Sequence, residues 1–477
     1  MAADQSTDFP SSMSLTENGS FTFATTESAC LNFYFDVLQN TPSPVIESHL
    51  NKAWAEDALL TLKLIFQLRD IRKGKGAKIE FHHCLLWLYE HHPLTLIENA
   101  QYVAQHGYWK DLGWLIKFIM TGNVSMTTER AERVGHRSRN RFASLYLPAV
   151  TPSGNLEEVI NQRLKGEITK KSWNSYLSGL NSEDAKLEAR KRFLILSKEF
   201  ALDNSRRAKE AKKAARVEVT EQLQELRTQK PKFAALYDKI VQIFANSLME
   251  DKETLVSTNC LPTTALCGKW APTLNCSIDS HTLLGRNIVR ALFPAEGNRR
   301  VNETDEAFFN RMKIAYRKVY LNPLREAIRV VEAQMSRKQW GKIEYNRVPS
   351  VSMKRNTKNF QKRDKERFTE YLGQVFAGEK KIASGALLPH EIVSRLMTLS
   401  YSYLRMQRGK KRGVDDLSEQ VAELQWKSYV DNLKKSGILD SAMAVADVSG
   451  SMYGTPMEVA IGKLIIVLIY FIMNSSS

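Results

Sequence analysis

The chain has 477 residues, 43% hydrophobic and 25% charged, a balance that supports a packed core and excludes the apolar-poor composition of a disordered chain. Its 68 Lys and Arg against 52 Asp and Glu give a formal net charge of +16, which points to acidic partners. Five cysteines without a CxxC pair or zinc-ligand spacing argue against a disulfide framework or zinc finger and read as free, mostly buried thiols.

Residues 1–30 are rich in Ser, Thr and Asn, with isolated Phe and no sustained period, and are expected to form a disordered tail. They show no basic region leading into an apolar one, so an intracellular compartment is expected, cytoplasm or nucleus. From about Pro44 the apolar residues recur at three- and four-residue steps, the period of amphipathic helices. Leu59, Leu62, Phe66 and Arg69 share one face behind Asp57 as N-cap, and the Lys73-Gly74-Lys75-Gly76 turn follows. A second helix carries Phe81, Cys84, Leu85 and Leu88 and stops before Pro93. A third places Leu96, Ala100 and Val103 on one face, and a fourth runs through Leu112, Leu115, Ile116 and Ile119 to Gly122. Such helices joined by very short turns predict stacked helical hairpins without an exact repeat. Further helical pattern covers 183–248, 282–293, 304–335 and 360–376.

The pattern changes near residue 436. Ser441 to Ala446 is a short run of small apolar residues leading into Asp447-Val-Ser-Gly-Ser451, which reads as a buried parallel strand ending in a polar loop. Thr455 and Pro456 then form an N-cap and N1 pair for an apolar helix. That helix, 459–473, is interrupted by Lys463 and is shorter than the roughly 20 apolar residues a membrane span needs, so no membrane partner is expected.

Two kinds of chemistry are legible. Asp447, Ser449 and Ser451 offer one carboxylate and two hydroxyls from a tight loop, hard oxygen ligands of the kind Mg²⁺ takes, although the same residues also stabilise ordinary turns. The positive charge is concentrated in two segments. Arg206, Arg207, Lys209, Lys212, Lys213 and Arg216 stand against Glu210 alone. Lys354, Arg355, Lys358, Lys362, Arg363, Lys365 and Arg367 stand against Asp364 and Glu366. On helices these spacings place several cations on one face, either to follow a phosphate backbone or as a solvated surface. His82, His83, His91 and His92 lack the i, i+4 spacing of a helical metal site, the Lys-Gly-Lys-Gly turn lacks a phosphate-loop pattern, and Trp109 reads as a packing residue. No catalytic constellation can be placed, and no enzyme is expected.

The stretch Ala58-Leu-Leu-Thr-Leu-Lys-Leu-Ile-Phe-Gln-Leu-Arg-Asp70, with Leu86-Trp-Leu-Tyr-Glu-His-His-Pro93 and Gly107-Tyr-Trp-Lys-Asp-Leu112, resembles the helical module of TROVE proteins, the family of the Ro autoantigen. More closely, the chain resembles a largely plant and viral family, domain of unknown function 2828. That resemblance runs through Leu266-Cys-Gly-Lys-Trp-Ala-Pro272, Tyr345-Asn-Arg-Val-Pro-Ser350, Ser384-Gly-Ala-Leu-Leu-Pro-His390, Ala422-Glu-Leu-Gln-Trp426 and Ala446-Asp-Val-Ser-Gly-Ser-Met452. It implies a mainly α chain: a HEAT-like helical-repeat ring or solenoid over 31–435, then over 436–477 the first strand and helix of a von Willebrand factor A domain. The metal-ion-dependent adhesion site of that domain would begin at Asp447, Ser449 and Ser451. Relatives continue with further strands that complete the metal ligands, whereas here Gly462-Lys-Leu-Ile-Ile-Val runs to Ser477, so the A domain is expected to be incomplete.

In the Ro relatives such rings bind structured RNA with a single-stranded end. The expected function is therefore a non-enzymatic RNA-binding scaffold using the two basic segments. The alternative is a protein-interaction module that binds its partner through Mg²⁺.

Overall fold

A computed structural model of the chain describes residues 13–15, 21–23, 26–124, 155–262, 266–276, 278–385, 387–394, 417–435, 446, 457–462 and 464. The described chain is mainly helical. Its strands are β1 (Met13–Leu15) and β2 (Phe21–Phe23), an antiparallel pair with Ser14 opposite Thr22. The tail expected to be disordered over 1–30 thus holds a strand pair and the start of a helix at Ala29. Three residues per strand give a single alternation, too little for periodicity to register.

The chain forms two compact units that interleave in sequence, the first from residues 1–66, 77–245 and 271–313, the second from 67–76, 246–270 and 314–477. The stretch 31–435 contributes to both.

In the first unit, α1 (Ala29–Asp36) is capped by Ser28, whose hydroxyl accepts the Leu31 N–H at 3.3 Å. The Ser28 hydroxyl also donates to Glu56 at the end of α2 (Ser43–Glu56) at 2.6 Å, joining the two helices. Asp57 caps α3 (Ala58–Arg69) as expected, its carboxylate accepting the Leu60 N–H at 2.9 Å. Then follow α4 (Ile79–His91), α5 (Pro93–His106) and α6 (Trp109–Thr121), which ends at Gly122 in the left-handed region (φ 64°). The second helix packs on the fourth, and the fourth on the fifth and sixth. On α4 even Glu80 and His82 are buried beside Phe81, Cys84, Leu85, Leu88 and Tyr89, as expected of a helix enclosed on most sides. Its carboxylate at Glu80 accepts the Asn40 N–H at 2.7 Å.

Two short helices follow, α7 (Leu156–Lys165), capped by Asn155, and α8 (Lys170–Ser178), capped by Thr169. The next helix, α9, is a single run of 47 residues, Glu183–Gln229. The helical pattern over 183–248 breaks at Lys230 because Pro231 disfavours helical backbone in the residue before it and opens a new helix, α10 (Pro231–Thr258). Phe233, Leu236, Tyr237, Ile240 and Phe244 form its buried stripe. A single turn at Asp279–Thr282 and a left-handed Leu283 (φ 53°) lead into α11 (Leu284–Leu292), and α12 (Asp305–Ala315) follows.

In the second unit the helix continues through a π-helical stretch, Tyr316–Leu321. Pro323 lies in the next turn, lacks an N–H and crowds the carbonyl four residues back, so the ladder widens there instead of running on to residue 335. The unit's core is Ile343, Tyr345, Val348, Met353, Phe360, Phe368, Tyr371, Leu372, Val421 and Leu424. These come mainly from α13 (Ser350–Arg363), α14 (Lys365–Phe376) and α15 (Ser418–Lys435). The thirteenth helix starts ten residues before the expected 360, because its first turns are mostly polar and only Met353, Thr357 and Phe360 mark the inner face. Residues 457–462 are helical, and the expected strand at 441–446 lies outside the described residues apart from Ala446. Among the described residues no helix is long and apolar enough to cross a membrane.

Candidate nucleic-acid interface

The first basic segment lies in the middle of α9, and the way that helix is held explains its exposure. Its N-terminal third packs Ala189, Phe193 and Leu196 against Val159, Ile160, Trp173 and Leu177 of the two preceding helices. Arg192 adds an ion pair with Glu157 at 2.5 Å. Near its C-terminal end Leu223 is buried, the Gln222 amide donates to the Met120 carbonyl at 2.8 Å, and Arg227 grips Asp238 with bonds of 2.7 and 2.9 Å. Between these anchors every residue from 204 to 215 is exposed. At 1.5 Å per residue this is about 18 Å of helix with solvent on all sides.

Helix propensity sustains that stretch, because Arg206-Arg-Ala-Lys-Glu-Ala-Lys-Lys-Ala-Ala-Arg216 contains only strong helix formers. Arg206 and Arg207 both pair with Asp203, each at 2.8 Å, and both side chains remain more than 70% exposed. Such surface pairs contribute little and yield readily to a competing anion. Lys209, Lys212 and Lys213 are exposed and form no ion pair among the described residues. Arg216 differs: it is half-buried and lies within electrostatic reach of Asp279 and Arg286.

The second basic segment is divided by its helix. Met353, Thr357 and Phe360 face the core, so Arg355, Lys358 and Lys362, at i, i+3 and i+7, share the outer face with Arg363 beside them, all exposed. Lys354 turns inward instead, its ammonium donating to the Glu391 carbonyl at 2.8 Å. Arg367 is also structural: it donates to the Trp340 and Ile343 carbonyls at 2.9 and 3.0 Å and to Asp364 at 2.8 Å, and Asp364 also accepts the Tyr345 hydroxyl at 2.7 Å. Sequence alone cannot separate these two from their neighbours, since their partners lie on other elements.

Most of the quoted sequence segments serve packing. Tyr345 meets Phe360, Phe368 and Tyr371 with ring centroids 5.3, 5.0 and 5.5 Å apart. The Gln425 amide donates to the Ser350 and Ala383 carbonyls, each at 3.1 Å, which ties the segment at 422–426 to the one at 345–350 and to the residue that precedes the one at 384–390. In the 266–272 segment, the Gly268 carbonyl accepts the Arg325 guanidinium at 3.0 Å. Trp109 packs against Phe244 with the rings tilted and their centroids 5.2 Å apart, as expected of a packing residue.

The histidines occupy different environments, with His83 half-buried. His82 is fully buried with Nδ1 2.7 Å from the Lys78 carbonyl, and burial pushes its pKa down to about 4. His92 lies stacked on Trp54 at 4.4 Å, and His91 lies 5.2 Å from Trp87. Three cysteines are buried, Cys30, Cys84 and Cys267, while Cys260 and Cys276 are exposed. Asp447, Ser449 and Ser451 lie outside the described residues. Among those described, no group of three or more His, Cys, Asp and Glu is placed to hold a metal ion.

Arg286 and Arg290, which sequence reasoning left aside, stand one turn apart on α11. The junction before them is locked. Asp279 accepts the Asn275 N–H at 2.7 Å and the Arg286 N–H at 3.3 Å, the Tyr237 hydroxyl donates to the Thr282 carbonyl at 2.8 Å, and the Asn287 amide donates to that hydroxyl at 2.8 Å. Burial pushes the Asp279 carboxyl up against the pull of these N–H groups and of Arg216. The available signal was the i, i+4 arginine pair on a short amphipathic helix, too common a pattern to single out.

An uncharacterized protein of Acanthamoeba polyphaga mimivirus is 23% identical over 475 residues, covering 95% of this chain and 59% of its own length. The chain thus spans about three-fifths of the length of the curated relative it matches. No solved structure matches it. The model of the family described as domain of unknown function 2828 matches residues 16–439, and the chain belongs to that family.

Proposed function

We propose that the chain is a helical scaffold that binds RNA through basic helix surfaces, with no catalytic chemistry of its own. The observation that carries the reading is the exposed stretch 204–215 of α9, which presents Arg206, Arg207, Lys209, Lys212 and Lys213 with only Glu210 among them. A cationic helix held at both ends can lie along a phosphate backbone, and binding would release condensed counterions. The outer face of α13, with Arg355, Lys358, Lys362 and Arg363, offers a second such surface. The resemblance to TROVE modules supports RNA as the nucleic acid, and a structured RNA with a single-stranded end as its form.

The test is anisotropy of the full chain with a stem-loop RNA carrying a single-stranded 3′ tail, and with the same RNA lacking the tail, across a salt series. Roughly five phosphate contacts give a log–log salt slope of about −4. A slope near that value with tighter binding of the tailed RNA is the expected result; weak binding indifferent to salt and tail would overturn the reading. In that case the second reading, an A-domain-like module that holds a protein partner through Mg²⁺ at Asp447, Ser449 and Ser451, predicts binding that requires Mg²⁺ and is lost in Asp447→Ala.

A further inference from the structure

In the first unit Arg216 and Arg290 both lie within electrostatic reach of Arg286, where no sequence signal placed a site. Arg216 comes from the C-terminal half of α9, whereas Arg286 and Arg290 come from α11, and the ninth helix packs on the turn Asp279–Thr282 that leads into the eleventh. Arg286 is half-buried, and its guanidinium lies 4.5 Å over the Phe309 ring. A ring face attracts the cation but supplies no acceptor oxygen for its N–H groups. Among the described residues neither the Arg286 nor the Arg216 guanidinium makes a hydrogen bond or ion pair, and Arg290 reaches only the Asn287 side chain at 3.4 Å.

The carboxylates nearby do not answer this cluster. Asp279 has both oxygens committed to backbone N–H groups, and Glu306 lies exposed on α12. Burial and the positive charges of Arg216 and Arg290 depress the pKa of Arg286, which is the electrostatic mark of cations gathered without enough counter-charge. Desolvating a guanidinium without an acceptor costs stability, and half-buried Arg286 and Arg216 each bear that cost unless an anion is bound, while exposed Arg290 adds a third positive charge beside Arg286. Phosphate is the anion whose chemistry suits such a cluster best, because a planar guanidinium offers it paired N–H donors.

We infer that Arg216, Arg286 and Arg290 form a phosphate-binding site, occupied by a backbone phosphate of the bound RNA. The site adjoins the exposed basic stretch through Arg216, the last cation of that segment. An RNA strand following the 206–213 cations would therefore end its contact on an arginine cluster two of whose members stand on a helix that Asp279, Tyr237 and Asn287 fix at its start. The inference rests on the RNA reading for its ligand, while the anion site itself rests on the arginine cluster.

The experiment compares the full chain with Arg290→Gln, which is exposed and leaves the core untouched, and with the triple variant Arg216→Gln, Arg286→Gln, Arg290→Gln. Folding of both is checked by circular dichroism. Two readouts are taken: the salt slope for the tailed RNA, and the rise in melting temperature caused by inorganic pyrophosphate. The expected result is a slope shallower by about 1 in Arg290→Gln and by more in the triple variant, together with a pyrophosphate-induced rise in the parent chain that the triple variant lacks. Unchanged slopes and an equal pyrophosphate response in all three would overturn the site while leaving the RNA reading intact. A parent chain that ignores RNA but is stabilised by pyrophosphate only when the arginines are present would remove the RNA reading and keep the anion site. Should the triple variant fail to fold, Arg290→Gln alone decides by its slope and its pyrophosphate response.

Discussion

His82 shows what a single buried titratable group costs. Its ring lies between the Lys78 carbonyl at 2.7 Å and the Asp111 carbonyl at 3.4 Å, in a fully buried position where desolvation outweighs the pull of Asp111 and holds its pKa at about 4. In the unfolded chain the same ring titrates at its ordinary value near 6.5. Protons therefore bind the unfolded state first as pH falls, and stability is lost between about 6.5 and 4, on the order of 3 kcal/mol in all. Denaturant titrations at pH 7 and pH 4.5 should show this loss, and His82→Gln should flatten that part of the profile while lowering stability at neutral pH. A parallel pH dependence in the variant would sink the assignment. Gly113 carries a steric constraint instead. A Cβ built there would come within 2.7 Å of Ile278 Cγ2, so the gain in helix propensity from Gly113→Ala is opposed by overpacking of about 1–3 kcal/mol. A net drop in the denaturation midpoint is expected, and Ile278→Ala in the same chain should recover part of it. At this scale the local signals were legible: Asp57 caps its helix and Trp109 packs. Lys354 and Arg286 were not: the Lys354 partner, Glu391, is 37 residues away along the chain, and Arg286 owes its setting to Phe309 and Arg216, which lie on other helices.

The long helix α9 falls within the helical pattern expected over 183–248, and its middle obeys different physics from the helices around it. On α4 tertiary packing holds the backbone, whereas 204–215 has only its own hydrogen bonds, its propensity and the two anchored ends. Local opening there should cost much less than global unfolding. Hydrogen exchange is thus expected to be faster at amides 204–215 than across Ile79–His91 by orders of magnitude, and equal protection would show an unseen covering surface. The same logic separates charge from fold. Lys209→Ala with Lys213→Ala removes two cations from one face and touches no core, so stability should stay within about 0.5 kcal/mol while the RNA salt slope becomes shallower by about 2. A slope that does not change would move the contact elsewhere. Periodicity found α3–α6 because apolar residues recur along each, although Leu59 of the expected α3 face is exposed and α4 is buried on most sides; it lost precision wherever proline, as at Pro231 and Pro323, or a polar first turn, as at Ser350, set the boundary.

Across the whole molecule the chain passes between its two compact units repeatedly, with divisions at 66/67, 76/77, 245/246, 270/271 and 313/314. Linear reading favours one contiguous repeat domain followed by another domain because hydropathy reports local burial and says nothing of which distant segment shares it. The consequence is testable by shortening the chain. Ending it after Lys313 retains every segment of the first unit but strands 67–76 and 246–270, which belong to the second. The stranded part includes buried Leu248 and Cys267, and Gly268, whose carbonyl partner Arg325 would be gone together with the Leu324 side chain packed at its Cα. Exposing that apolar surface favours self-association. Residues 1–313 are therefore expected to elute as aggregates in size exclusion and to unfold without a cooperative transition, although the first unit's own contacts are complete. A monomeric 1–313 that melts cooperatively near the full chain's temperature would instead establish the first unit as an independent domain. It would then let its basic helix be assayed for RNA alone.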